Sequence, residues 1–207
     1  EPDLGTALSI AGTVFVLLFV TGAKLKHLFS LGAVGLIGIV AAVLLEPYRL
    51  KRLFAFSNPW ADPLDTGYHI IQSLYAIGSG GLFGVGLGRS REKFLYLPEP
   101  HTDFIFSILG EELGLIGTVL VLILFFLFAW RGLKTAMLAP DIYGSILSAG
   151  LTTMILVQAL MNIAVVTASM PVTGIPLPFL SFGGSALIFT LAGVGILLNI
   201  SRYVNLK

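Results

Sequence analysis

Hydrophobic and polar positions fall in blocks along this chain. Leu4 to Ala23 carries no charged residue, and neither does His27 to Leu45 with histidine counted as neutral. The longest bare run goes from Ile142 to Ser201, 60 residues interrupted by Pro171, Pro176 and Pro178. Phe104 to Trp130 is apolar apart from Glu111 and Glu112. A helix needs about 20 apolar residues to cross a hydrocarbon core of about 30 Å. The first two runs and the last therefore hold one span each, and the 60-residue run holds two. The pattern predicts five membrane-spanning helices, near 4–23, 28–45, 105–130, 143–168 and 183–201. The expected fold is an all-α polytopic integral membrane protein in three parts. Residues 1–45 form two spans, 46–104 one long loop with short amphipathic helices, and 105–207 three spans with a Pro/Gly-rich turn at 169–182.

Composition agrees with lipid as the main solvent. The 207 residues are 56% hydrophobic and 11% charged, where a soluble domain is about 25% charged. That excludes a soluble enzyme and a disordered tail, and a net charge of +1 provides no field that would gather nucleic acid. With no cysteine, disulfides and thiolate metal sites are excluded.

Charge placement sets the expected orientation. Lys24, Lys26 and His27 follow span one, Arg131 and Lys134 follow span three, and Arg202 and Lys207 follow span five. Alternating spans put these three positions on one side, which the positive-inside rule makes cytoplasmic. The loop 46–104 is then extracytoplasmic, and it holds 12 of the 23 charged residues. The chain opens on Glu1 rather than Met with no basic segment before the first span, so no signal peptide is expected. The expectation is a piece of a longer membrane protein.

The loop carries the candidate chemistry. Tyr48 to Phe56 interleaves basic and aromatic residues, a pattern that suits an interfacial anchor. The sharper reading has Arg49, Lys51 or Arg52 on a lipid phosphate. Gly67 to Ile77 places Ile70, Ile71, Leu74 and Ile77 at helical spacing, which predicts a short amphipathic helix on or dipping into the membrane. Gly78 to Gly88 packs six glycines into 11 residues and lacks the Gly-Lys-Ser/Thr of a phosphate loop, so a re-entrant turn with close backbone approach is expected. Arg89, Arg91, Glu92 and Lys93 follow, then Tyr96-Leu-Pro-Glu-Pro-His-Thr-Asp103. Spacing alone ranks Asp103 as a helix N-cap ahead of a catalyst. Glu111 and Glu112 lie about 12 Å further along a helix, as interior structural acids or proton-relay groups. Gly110 and Gly114 suit close helix packing. Gln158 and Asn162 share a face of span four, where interhelical hydrogen bonding is the default role.

Seven motifs together resemble the SEDS family of FtsW, RodA and SpoVE proteins. They are Glu1-Pro-Asp-Leu-Gly5, the Asn58-Pro-Trp block, Gly67-Tyr-His-Ile-Ile-Gln-Ser73, Gly80-Gly-Leu-Phe-Gly84, Leu97-Pro-Glu-Pro-His-Thr-Asp-Phe104, Gly110-Glu-Glu-Leu-Gly114, and Pro171-Val-Thr-Gly174 with Leu180-Ser-Phe-Gly-Gly-Ser185. The pattern is nearer the FtsW/SpoVE branch. Where the family usually has Gln, Tyr and a nearby Gly, this chain has Glu1, Phe182 and Ala168.

The resemblance implies the C-terminal half of a ten-helix bundle in the bacterial cytoplasmic membrane. It also implies a peptidoglycan glycosyltransferase that polymerises lipid II on the outer face, with Asp103 as the catalytic residue. That reverses the ranking of cap and catalyst. One carboxylate can take the proton of the attacking sugar hydroxyl. The lipid pyrophosphate leaving group needs charge stabilisation rather than a proton, from Arg, Lys or a divalent cation such as Mg²⁺ or Mn²⁺. Arg52, Lys93, Arg89, Arg91 and His101 are the candidate substrate-binding residues. The implied partners are a class B penicillin-binding transpeptidase, other division or elongation proteins and membrane lipids, with no nucleic acid. Two alternatives stand beside this reading: a lipid II flippase, and a scaffold that only recruits the transpeptidase.

Overall fold

The computed structural model describes residues 3–95 and 101–204. Among them the chain is all-helical: α1 (Leu4–Val20), α2 (Leu25–Leu44), α3 (Pro47–Ser57), α4 (Tyr68–Gly80), α5 (Glu92–Leu95), α6 (Ile105–Leu138), α7 (Ile142–Val166) and α8 (Gly184–Ser201), with a 3₁₀ turn at Pro59–Ala61. Four of these, α2, α6, α7 and α8, are long and apolar enough to cross a membrane, and α1 is a shorter apolar helix of 17 residues.

Local chemistry sets the boundaries. Asp3 caps α1 by accepting the Thr6 N–H at 3.1 Å, and its carboxyl also takes the Thr6 hydroxyl. Asp141 does the same for α7 through the Gly144 N–H at 2.5 Å. Pro47 opens α3, where its missing N–H costs nothing.

Helix α7 is the centre of the bundle, packed by α1 and α6 with α8 alongside. Small residues make the approach close. Gly5, Ser9 and Thr13 are the buried stripe of α1, and α7 buries Gly144, Ser148, Ala149 and Thr152. A Cβ on Gly132 of α6 would stand 2.2 Å from Thr152 Oγ1. This is packing by fit, as expected where lipid gives no hydrophobic drive between helices. The outward faces are apolar: Phe126 and Trp130 on α6, Ile188 and Phe189 on α8, and Phe29, Leu36 and Ile37 on α2 are all more than half exposed.

Helix α6 departs most from the expected span. It runs on to Leu138, and it is broken inside at Gly114, whose φ of 67° and ψ of −163° are not helical. In an unbroken helix the N–H groups of Leu115 and Ile116 would bond the carbonyls of Glu111 and Glu112. Here they donate to Gly81 and Leu82 at 2.9 and 3.3 Å, while the carbonyls of Glu111 and Glu112 accept the N–H groups of Val85 and Gly86, both at 3.0 Å. The glycine-rich loop thus fills the gap in the helix, and these four freed backbone groups find protein partners. Exposed large apolar side chains on α6 begin at Leu115. The stretch Leu115–Leu138 is about 36 Å long at 1.5 Å per residue and is by itself long enough to cross.

Helix α4 also differs from the amphipathic surface helix that periodicity predicts. It packs on α6 and α7, with Ile70, Ile71, Ser73 and Ala76 buried, so protein rather than lipid covers its apolar face.

Among the described residues two non-glycine positions have left-handed backbones, Ala168 at φ 51° and Phe179 at φ 69°. Ala168 stands beside the position where the resembled family has glycine. A Cβ in this region costs roughly 1–2 kcal/mol, partly offset by the greater freedom glycine has when unfolded. Ala168→Gly is therefore expected to stabilise the protein by about 0.5–1 kcal/mol, read as a higher thermal midpoint of the full-length protein in detergent.

Candidate functional site

Asp103 lies in a turn, His101 to Phe104, just before α6. The N-cap position of α6 is Phe104, without a side-chain capping bond, so Asp103 is not the N-cap that spacing suggests. Three successive carbonyls hold the turn in place. His101 accepts the Phe182 N–H at 2.7 Å, Thr102 accepts the Ser181 hydroxyl at 2.5 Å, and Asp103 accepts Asn162 Nδ2 at 2.7 Å. The same Asn162 amide donates to the Ile175 carbonyl at 2.8 Å. Asn162 is thus a strut between α7, the 169–182 turn and the Asp103 segment. Below it, Phe104, Phe106, Ile108, Val165, Val166 and Leu177 form the core cluster. Ser73 of α4 bonds Ser107 at 2.6 Å and the Val166 carbonyl at 2.7 Å, which fixes α4 to the same base.

Asp103 opens into a cavity of about 440 Å³. Its wall brings together Tyr48, Lys51 and Arg52 of α3, Asp65, Thr66 and His69 around the start of α4, and Val172 and Gly174 of the outer turn. Gly174 has φ 73°, and a Cβ there would meet Asp103 Oδ2 at 3.6 Å, so glycine leaves this side of the carboxylate open. Arg52 reaches across to donate to the Val172 carbonyl at 3.2 Å, and its guanidinium lies 5.5 Å from the Tyr48 ring centroid. Arg49 turns away and donates to the Ala42 carbonyl at 2.7 Å, near the C-terminal end of α2. A second, more apolar groove of about 280 Å³ shares Tyr48, Arg52 and Val172 with the cavity and continues along Leu8, Ile39, Val43 and Leu53.

Of the five basic or imidazole candidates, Arg52 is among the described residues of the Asp103 cavity wall. Arg89 and Arg91 are exposed on the loop beyond the glycine-rich segment, and neither they, Lys93 nor His101 is among the described residues of the cavity wall. Glu111 serves that loop instead. It is 2% exposed and accepts the Ser90 hydroxyl at 2.5 Å and the Arg91 N–H at 2.8 Å. Burial, and next the negative charge of Glu111, push the Glu92 carboxyl above its usual range. Glu112 is half-buried, with Oε1 enclosed and unbonded among the described residues. Glu1, Lys207 and the stretch 96–100 of the long motif lie outside the described residues.

Sequence reasoning missed His69. Its ring stacks on Phe104 at 5.8 Å with an interplanar angle of 10°. Burial, and next the positive charge of Arg52, hold its imidazole below the usual value, while Asp103 acts in the opposite sense. The one available signal was a polar ring beside the buried pair Ile70 and Ile71.

The family model FTSW_RODA_SPOVE, described as "Cell cycle protein", matches residues 1–206. Stage V sporulation protein E of Bacillus subtilis (strain 168) is 58% identical over 203 residues, 98% of this chain and 56% of that protein. A probable peptidoglycan glycosyltransferase FtsW of Geobacter sp. (strain M18) is 47% identical over 201 residues, 97% of this chain and 55% of that one. The chain thus spans about half the length of the curated relatives it matches. Among solved structures, a chain reported under "Structural coordination of polymerization and crosslinking by a peptidoglycan synthase complex" aligns with TM-score 0.78 at 34% identity, over 100% of this chain and 58% of that chain. The crystal structure of the rod shape determining protein RodA of Thermus thermophilus aligns with TM-score 0.64 at 33% identity, over 100% of this chain and 52% of that one. Helical architecture, motif order and these likenesses agree: the chain belongs to the FtsW/RodA/SpoVE family of multi-pass membrane proteins, on its FtsW/SpoVE branch.

Proposed function

We propose that the full-length protein is a peptidoglycan glycosyltransferase that polymerises lipid II at the outer face of the bacterial cytoplasmic membrane. The observation that carries this reading is the junction of two cavities. A polar one holds Asp103, Lys51 and Arg52, and an apolar one runs off from Tyr48, Arg52 and Val172. A lipid-linked sugar diphosphate has the matching parts: a sugar, a doubly charged linker and a long hydrocarbon tail. In this reading Asp103 takes the proton from the acceptor hydroxyl as it attacks the donor's anomeric carbon. The bond from that carbon to the diphosphate breaks, and the leaving charge falls to Arg52 and Lys51. The positive ends of α1, α6 and α8 face the cytoplasm, and the segment 46–104 faces outward.

A divalent cation, Mg²⁺ or Mn²⁺, belongs to the proposal as counter-charge for the diphosphate. Among the described residues no three His, Cys, Asp or Glu side chains gather into a metal site. Such an ion would be held by the diphosphate with one or two carboxylates at most, as Mg²⁺ commonly is, and Asp65 and Asp103 are the carboxylates of the wall. A class B penicillin-binding transpeptidase and other division or elongation proteins are the proposed partners. The structural neighbour from a peptidoglycan synthase complex supports this.

The test is a polymerisation assay on the full-length protein with its transpeptidase, the latter silenced by a β-lactam. Glycan strands formed from purified lipid II are the expected product. Labelled lipid II that crosses vesicle membranes without forming strands would overturn the reading in favour of transport. A complex inert in both assays would leave only recruitment.

A further inference from the structure

Among the described residues, the side chain of His69 makes no hydrogen bond: its Nδ1 is enclosed by protein without a partner, and its Nε2 is not enclosed. A half-buried imidazole in that state calls for an explanation, because polar atoms removed from water are nearly always bonded. Packing alone does not supply one. The face of the ring is satisfied by its parallel stack on Phe104, but a phenyl ring would fill that space as well and leave no unpaired nitrogen. The ring is one residue into α4, and that helix is tied to α6 and α7 through Ser73, so the imidazole is held on a rigid base. It lines the same cavity as Asp103 and Arg52, and the charges of both act on it. Phe104, which the ring lies against, directly follows Asp103 in the chain.

We propose that His69 is a second substrate-contacting residue of this cavity, a neutral imidazole whose Nε2 hydrogen-bonds a sugar hydroxyl or amide next to the hydroxyl that Asp103 deprotonates. The inference rests on the glycosyltransferase reading and deepens it. Arg52 and Lys51 suit the diphosphate and Asp103 suits the reacting proton. Neither set supplies a neutral group for an uncharged sugar, and the imidazole Nε2 does, as donor or acceptor according to the tautomer. The stack on Phe104 fixes the plane of the ring, so the contact is pre-oriented and the sugar side carries most of the ordering cost.

Two substitutions separate the nitrogens from the ring. His69→Phe keeps the stack and removes both nitrogens, and His69→Gln keeps a donor and an acceptor and removes the stack. With full-length protein and purified lipid II, His69→Phe is expected to raise KM about tenfold, the worth of one hydrogen bond of roughly 1.4 kcal/mol. Its thermal midpoint should stay at the native value. His69→Gln is expected to restore most of the lost affinity. A folded His69→Phe protein with native KM, or a His69→Gln protein no better than His69→Phe, would overturn the contact. Lipid II affinity measured in an Asp103→Asn background keeps the two readings apart. Weaker binding by His69→Phe there, with no strand synthesis by the native protein, retains the contact and sinks the enzyme. Native strand synthesis with affinity unchanged by His69→Phe does the reverse.

Discussion

Asp103→Asn is expected to abolish strand synthesis by the full-length protein while leaving its folding intact. The first half follows from chemistry. A carboxamide cannot accept the proton that the acceptor hydroxyl must lose, and removing a positioned base lowers rates by about 10²–10⁴. The second half follows from how the turn is held. The bonds from Phe182, Ser181 and Asn162 all end on backbone carbonyls of residues 101–103, which the substitution does not touch. The carboxylate is also not the cap of α6. Lipid II should still bind, because the cations of α3 remain on the wall. The measurement is single-turnover strand synthesis beside a thermal midpoint. A folded Asp103→Asn protein that polymerises at the native rate would end the assignment of Asp103 as base.

The largest expected loss of stability is at Gly84. Its backbone is left-handed, with φ 78°, and a Cβ would stand 2.2 Å from the Glu112 carbonyl oxygen. The first fact costs an alanine roughly 1–2 kcal/mol, and relief of the overlap costs about 1–3 kcal/mol more. Gly84→Ala should therefore cost about 3 kcal/mol, a large part of the 5–15 kcal/mol typical of a folded protein. Because the overlap falls on the break in α6, the variant should also lose its cellular level. Gly78→Ala is the matched control. It lies in α4 with nothing within 4 Å of its would-be Cβ, and it should be neutral or gain up to about 1 kcal/mol. Equal thermal midpoints for the two variants would show that the loop does not bear on the helix.

The long bare runs were legible because lipid imposes one rule on every residue of a span. Runs 143–168 and 183–201 correspond to α7 and α8 within two residues. The end of α6 was misread at Trp130. Arg131 and Lys134 look like a loop in sequence, yet the helix continues through both, with Arg131 exposed and Lys134 half-buried. The break at Gly114 was not legible, because Gly110 and Gly114 are the same signal for a packed helix as for a parted one. What distinguishes the two cases is hydrogen bonding to residues about 30 positions earlier, and local spacing does not carry that. The site divides in the same way. Asp103 was found through its motif. The cavity around it is assembled from α3, α4 and the outer turn, so the absence of Arg89, Arg91 and Lys93 from its described wall and the presence of His69 both depend on tertiary contacts.

Glycine-rich loops are ordinarily where related chains gain and lose residues. The segment 81–86 cannot behave that way. Gly81 and Leu82 serve Leu115 and Ile116, and Val85 and Gly86 serve Glu111 and Glu112, so the loop is counted residue for residue against the gap in α6. One residue added or removed between Leu82 and Val85 would strand two amides or two carbonyls inside the protein. The length of this loop should therefore be as invariant among its relatives as that of a helix, whatever their side chains.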